Sequence, residues 1–273
     1  MPELPEVETV RRSLEPRILG KTIANVLIYY EPMIRPLART HFKEVLIGET
    51  LAELRRKGKY LIFDFSSIVL LVHLRMEGKF FLGTVDTPKM PHEHVRYIFS
   101  DKSVLIYHDV RKFGTPTLKA PKHLTHTPPF TNLGFEPGDT RLTPTYLKNK
   151  LKTDRKIKTA LLDQSIILGL GNIYVDEVLF CAKIRPTRRG RRLTKKDCEN
   201  VIACSERVID KAIALGGSSI RTYTNSLGIS GRFQNELNVH MRAGQPCNSC
   251  GKPIEKIKVN GRGTYYCSSC QRS

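Results

Sequence analysis

No apolar run in this 273-residue sequence approaches the ~18 residues of a membrane-spanning helix, and no basic segment followed by an apolar one opens the chain. Both absences argue against a membrane or secreted protein and for an intracellular one. Acid is scarce as well: 26 Asp and Glu stand against 45 Lys and Arg, a formal net charge of +19. That imbalance implies a polyanionic partner. Internal repeats and low-complexity tracts are missing, which sets aside a solenoid. Cysteines number seven, an odd count for a pure disulfide framework. At 40% apolar, the chain can bury one or two cores; two domains plus a small appendage are expected.

What is there begins at the terminus, Met1-Pro2-Glu3-Leu4-Pro5-Glu6-Val7-Glu8. If Met1 is removed, Pro2 presents a secondary amine that is partly unprotonated near neutral pH and can attack an aldehyde carbon. Glu3 beside it could deliver and collect protons. The same residues also make an ordinary helix start, with Pro5 in the first turn and Glu6 and Glu8 favoured by the helix dipole.

Val7, Val10, Leu14 and Ile18 recur at helical spacing and predict a helix over residues 5–19, ending near Gly20. Short β-type runs follow at 23–30, 60–65, 68–74, 79–82, 95–99 and 104–107. No helices alternate with them, so two packed antiparallel sheets are expected. A Pro-, His- and Thr-rich stretch at 120–129 reads as a linker. Beyond it come helical signals: Thr143-Pro144 as cap and first position, then 155–162, 173–182 and 194–215, the last opening with a Thr and an Asp three residues on as a capping box does. The expected fold class is α+β, with a β-sandwich domain at 1–130, a helical domain at 131–235 and a small hairpin at 236–273.

Cys247-x2-Cys250-x16-Cys267-x2-Cys270 has the spacing of a tetrahedral four-cysteine zinc site. One structural Zn2+ is expected, because four thiolates leave no open position for substrate. Asn260-Gly261 marks the turn of a hairpin between the knuckles, from which Arg262 should project. Gly169-Leu170-Gly171-Asn172 reads as a turn into a helix with Asn172 at the cap. It is either a plain helix–helix turn or a phosphate site supported by Lys156 and Lys158. Lys158 could equally be solvated surface. Lys59 precedes a strand, where a lysine commonly protects a sheet edge. His73, Met76, Arg111 and Phe113 fall at strand ends; Met76 and Phe113 are either core or wedges into a nucleic-acid stack. Cys181, Cys198 and Cys204, on helical stretches, read as core or neutral.

Taken together these pieces resemble the formamidopyrimidine-DNA glycosylase family from end to end. The resemblance rests on Pro2 to Glu8, Lys59-Tyr60, Asp109-Val-Arg111-Lys-Phe113-Gly114, Gly169 to Tyr174, and Gly261-Arg262-Gly263-Thr264 leading into Cys267-x2-Cys270-Gln271. It implies a β-sandwich, a helix-two-turn-helix module and a zinc ribbon, with DNA in the cleft between domains. It also implies a monomeric bacterial cytoplasmic enzyme that turns oxidised purines (8-oxoguanine, formamidopyrimidines) out of duplex DNA, removes them, and cleaves abasic sites.

The resemblance assigns roles as well. Pro2 would be the Schiff-base nucleophile, Glu3 the proton donor, and Glu6 a support. Lys59 would serve β-elimination and Arg262 δ-elimination. Lys59, His73, Lys158, Asn172 and Arg262 would hold DNA, while Met76, Arg111 and Phe113 fill the void left by the flipped base. Gly217, Ser218, Ser219, Ile220, Arg221, Thr222 and Tyr223 correspond to the loop over that base. Two departures stand out: the surroundings of Met76, with Arg75 and Glu77, and His240 where a tyrosine is usual. Rival readings are an endonuclease VIII-like enzyme for oxidised pyrimidines, and a non-enzymatic zinc-ribbon DNA-binding protein.

Overall fold

The computed structural model describes residues 1–124, 127–218 and 231–272. The chain forms two compact units, 1–131 with 216–231, and 132–215 with 232–273.

The first unit opens with α1 (Leu4–Ile18), whose Pro5 sits in the first turn and whose Val7, Val10, Leu14 and Ile18 line the face turned to the core, each at most 1% exposed. Two four-stranded antiparallel sheets follow. The strands are β1 (Ile23–Ile28), β2 (Leu51–Lys57), β3 (Tyr60–Phe65), β4 (Val69–His73), β5 (Lys79–Thr84), β6 (Glu93–Phe99), β7 (Ser103–His108) and β8 (Thr115–Lys119). One sheet runs β1-β6-β7-β5 and the other β2-β3-β4-β8. Leu54, Leu61, Phe63, Leu70 and Val72 of one meet Phe80, Val95, Tyr97, Leu105 and Tyr107 of the other in a single core. The Phe63 and Phe80 rings touch edge to face across it, centroids 5.5 Å apart. This burial between facing sheets is what holds the sandwich.

Helix α2 (Arg39–Leu46), β2 and β8 carry weak sequence signals. Strand β2 holds Glu53, Arg55 and Arg56 and buries only Leu51 and Leu54, so it reads as polar. Strand β8 contains Pro116, tolerated because among the described residues β8 is a sheet edge, paired with β4 alone.

The second unit contains α3 (Pro144–Lys150), α4 (Ile157–Leu161), α5 (Asn172–Cys181) and α6 (Lys195–Ala214), then a hairpin of β9 (Glu255–Val259) and β10 (Arg262–Tyr266). Thr194 and Asp197 close the expected capping box at α6, with Thr194 N donating to Asp197 Oδ2 at 2.7 Å and Asp197 N to Thr194 Oγ1 at 3.1 Å. At α5 the cap is Gly171, and Asn172 is the first helical residue rather than the cap.

The reading of Cys181 and Cys204 as core or neutral is corrected. They are joined in a disulfide between α5 and α6, Cα–Cα 5.8 Å. Packing of the two helices brings together residues 23 apart, which no local spacing signals. Cys198 is a buried free thiol, pushed up to about 11 by that burial.

Candidate active site and nucleic-acid interface

The N-terminus is tied down one residue at a time. Met1 is exposed, while Pro2, Glu3 and Glu6 are buried. Glu6, one turn into α1, accepts from Glu3 N with Oε2 at 2.8 Å and from Ser218 with Oε1, the backbone N–H at 2.8 Å and Oγ at 3.2 Å. Gly217 makes room for this: at φ +76° its backbone passes so close that a Cβ would lie 2.9 Å from Glu6 Oε1.

Two residues along α1 and on another side of it, Glu8 binds three arginines: Arg11 Nη2 at 2.9 Å, Arg12 Nε at 2.8 Å and Arg56 Nε at 3.0 Å. Burial pushes the Glu8 carboxyl up, but the hydrogen bonds from Arg11 and Arg12 and the charges of Arg56 and Arg11 outweigh it and hold the group down at about 2. Arg56 then donates to Gly58 O at 3.1 Å, in the two-residue turn between β2 and β3 that carries buried Lys59. Gly58 adopts φ +57°, as such a tight hairpin requires.

At the end of β4, His73 pairs with Tyr60 in register and packs edge-on against its ring, centroids 4.6 Å apart. Burial, with Arg75 and Lys59 nearby, lowers the imidazole to about 3, so it is neutral at physiological pH. Its Nδ1 accepts from Arg75 N at 2.9 Å, which leaves Nε2 as the N–H donor. Met76, in the next turn, is 38% exposed.

Asp109 clasps the loop after β7. Its Oδ1 accepts from Arg111 N at 3.0 Å, and its Oδ2 from Phe113 N at 2.9 Å and Gly114 N at 2.8 Å. The loop so held presents Arg111 over the Phe113 ring at 4.8 Å, with Phe113 52% exposed. Gly114 closes the loop against the core; a Cβ there would fall 1.5 Å from Tyr107 Oη.

In the second unit, three expected phosphate ligands gather on the Gly263 carbonyl or beside it. Lys158 Nζ donates to it at 2.9 Å and to Asp176 Oδ1 at 2.7 Å, and Asn172 Nδ2 donates at 3.1 Å. Arg262, exposed, follows the Asn260-Gly261 turn, whose φ values of +48° and +73° suit a type I′ hairpin. Asp176 Oδ2 also meets His240 Nδ1 at 2.9 Å, and Glu177 accepts from the backbone N–H groups of Asn238, Val239 and His240 at 2.9 Å each. Helix α5 therefore carries the approach to the ribbon.

The four ribbon thiols converge, all sulfurs within 4.8 Å of one another. A zinc ion at its usual thiolate bond length places tetrahedral sulfurs roughly 3.8 Å apart; Cys247–Cys270 and Cys250–Cys267 stand at 3.9 and 3.5 Å. The donor set fits one structural zinc.

Three family models match in order: the formamidopyrimidine-DNA glycosylase N-terminal domain over 1–116, its H2TH domain over 133–224, and the zinc finger found in FPG and IleRS over 244–272. A formamidopyrimidine-DNA glycosylase of Bacillus cereus is 49% identical over 99% of both chains. The chain belongs to the formamidopyrimidine-DNA glycosylase family.

The Geobacillus kaustophilus formamidopyrimidine-DNA glycosylase is 46% identical over the full length of both chains. Among solved structures, wild-type Lactococcus lactis Fpg bound to DNA containing N7-benzyl-Fapy-dG matches with a TM-score of 0.93 at 42% identity, covering all of both chains. The same protein with abasic-site DNA matches at 0.93 and 43%, covering 99% of this chain and all of that one.

Against the family's expected residues, this glycosylase places Pro2, Glu3 and Glu6 in one buried cluster with Gly217 and Ser218. Ser219, Ile220, Arg221, Thr222 and Tyr223 lie outside the described residues. Lys158 is not solvated surface; it is fully buried against Asp176. Sequence reading gave no role to Asp109, Asp176, Glu177 or Arg56. Asp109 stands inside a quoted motif, and its place ahead of a turn was the available signal. The other three act over 48 residues or more of sequence or within a helix, where a single acid or base looks like ordinary surface. No helix among the described residues is long and apolar enough to cross a membrane.

Proposed function

We propose that this protein is a bifunctional DNA glycosylase and AP lyase that removes oxidised purines, 8-oxoguanine and formamidopyrimidines, from duplex DNA in the bacterial cytoplasm. The carrying observation is the Glu6 carboxylate, which closes the capping box of α1 with Glu3 and in addition accepts from Ser218. A terminus that had only to start a helix would not need a second buried carboxylate holding it to a loop 212 residues away.

With Met1 trimmed, the Pro2 nitrogen attacks C1′ of the damaged nucleoside and the base leaves with its bonding electrons, taking a proton. Glu3 protonates the sugar ring oxygen as the ring opens and the iminium forms. Loss of a C2′ proton then expels the 3′ phosphate, with Lys59 as the proton carrier, and a second elimination expels the 5′ phosphate, with Arg262 in that role. His73, neutral and donating through Nε2, suits a phosphate contact that does not vary with pH near neutrality. Lys158 and Asn172 support the Arg262 strand and the phosphates flanking the lesion. Met76, Arg111 and Phe113 occupy the gap left by the flipped base. A guanidinium only donates, which favours cytosine, with its acceptors, as the orphaned partner. Zinc held by Cys247, Cys250, Cys267 and Cys270 supplies folding energy to the ribbon, and a monomer suffices for every role named.

Support for the purine reading comes from the relatives, whose solved complexes hold Fapy-type and abasic DNA. Borohydride reduction on duplexes carrying 8-oxoguanine opposite each base should trap a covalent adduct through Pro2, most with cytosine. Absence of an adduct from Met-free protein removes the lyase mechanism, and faster excision of thymine glycol than of 8-oxoguanine replaces the substrate by oxidised pyrimidines.

A further inference from the structure

Cys181 and Cys204 stand apart from the zinc ligands, and the mechanism makes no use of them. Cys181 is the last residue of α5 and half-buried; Cys204 lies mid-way along α6 and is 3% exposed. Their Cα atoms are 5.8 Å apart, inside the range a disulfide spans without moving the backbone. One turn beyond Cys204, Arg207 directs Nη2 at both sulfurs, 2.8 Å from Cys181 Sγ and 3.2 Å from Cys204 Sγ.

That arginine separates two explanations of the pair. A permanent structural disulfide is uncharged and a weak acceptor, and gains little from a fixed cation. A thiolate gains a great deal, because a guanidinium never deprotonates and favours the ionised sulfur. The remaining free thiol outside the ribbon, Cys198, lies on the same helix as Cys204; Lys148 and Arg188 are near it, but its burial outweighs them and keeps it a thiol, and among the described residues no arginine donates to its sulfur in the way Arg207 does to Cys181 and Cys204.

We propose that Cys181, Cys204 and Arg207 form a reversible, hydroperoxide-responsive dithiol site that covalently joins α5 to α6. Cys181, the more exposed of the two residues, attacks a peroxide oxygen as the thiolate. The O–O bond breaks, a sulfenic acid forms, and the departing hydroxide takes up a proton as water. Cys204 then attacks the Cys181 sulfur, the S–S bond forms, and the sulfenic oxygen leaves as a second water. Two thiols and one hydrogen peroxide thus become one disulfide and two waters, and a reducing dithiol reverses the change.

The bond acts on a helix whose first residue, Asn172, reaches the Gly263 carbonyl, and whose Asp176 and Glu177 hold the approach to the ribbon. Closing the site therefore fastens the support of Arg262 under the oxidising conditions that generate the enzyme's substrates.

The test uses zinc-loaded full-length protein, reduced with dithiothreitol, exposed to equimolar hydrogen peroxide, alkylated and peptide-mapped. The expected result is a Cys181–Cys204 crosslink reversed by dithiothreitol, with Cys198 alkylated only after unfolding and zinc retained. Arg207→Gln should slow crosslinking about tenfold at unchanged circular dichroism, and Arg207→Lys should restore part of the rate. Cys181→Ser should abolish the crosslink while leaving abasic-site cleavage in reducing buffer unchanged. No crosslink in folded protein, or one that native-state dithiothreitol cannot open, overturns the reversible site. An unchanged rate in Arg207→Gln overturns the role of the arginine.

Discussion

The Glu6 carboxylate and the Ser218 backbone N–H are joined at 2.8 Å, so the first turn of the chain and the base of the loop assigned to the lesion share one hydrogen-bond acceptor. Glu6→Gln replaces an oxygen that accepts from Ser218 or from Glu3 with an N–H group facing a donor. An unsatisfied buried donor costs about 1–3 kcal/mol. The expected outcome is an unfolding free energy, read from urea denaturation, lowered by that amount and 8-oxoguanine excision slowed tenfold or more. Wild-type stability in the variant would show that the shared carboxylate carries no load.

Lys158 is buried beside Asp176, and removing one member of such a pair leaves an uncompensated charge. Lys158→Met should destabilise by roughly 3–5 kcal/mol in chemical denaturation. The same variant decides the lysine's part in DNA binding. Each neutralised phosphate contributes about −0.9 to the slope of log affinity against log salt. A slope shallower by that amount assigns Lys158 a phosphate; weaker binding at the wild-type slope makes it a prop for Gly263.

Glu8 gives the protein an acid limb. Its carboxyl titrates at 4.5 in an unperturbed setting and at about 2 in the fold. A depressed acid stabilises fully above the unfolded value, and that contribution drains away as pH falls towards the folded one. The stability gap between wild type and Glu8→Gln should therefore be widest above pH 4.5 and shrink towards pH 2. Thermal melts across that window check it, and a gap constant with pH contradicts the ion-pair account.

Asp109→Asn puts an amide where the loop needs two acceptor oxygens. Excision of 8-oxoguanine from duplex should drop about tenfold, corresponding to roughly 1.4 kcal/mol, while cleavage of a preformed abasic site changes less. Equal losses on both substrates would place Asp109 in general stability instead.

Stripping the ribbon metal with a chelator should unfold residues 244–272, because the hairpin core among the described residues is small: Val239, Cys247, Ile254, Tyr265 and Cys267 with Phe180 and Cys270 against it. DNA affinity should fall at least tenfold and return with zinc, followed by circular dichroism and a binding titration.

How far the sequence was legible depends on how locally each feature is encoded. The ribbon's spacing, its Asn260-Gly261 turn and the Thr194 box are written within a few residues, and the structure contains each. Strand β2 was illegible because Arg56 serves Glu8 and Arg55, though exposed, pairs with Asp64 on the neighbouring strand, so its polarity misleads. The Cys181–Cys204 bond and the burial of Lys158 depend on helices meeting, which periodicity alone does not specify. Within the site, Pro2 and Glu3 drew notice in the sequence because of their residue types at the terminus, and the structure buries both beside Glu6. The residues that hold others in place could not be read, since Asp109 works through backbone groups any sequence possesses and Asp176 through side chains 18 and 64 residues away.

Gly114 sets a hard limit on how this enzyme can be re-engineered. Tyr107 is fully buried and packs against Phe80 at 5.2 Å, so it has nowhere to retreat from the carbon that even alanine would add. The reach of the Arg111 and Phe113 tips is thus gauged from the sandwich interior by a missing methyl. On the proposed roles of Arg111 and Phe113, libraries aimed at a new pairing preference can vary positions 110 to 113, but must inherit 114 untouched.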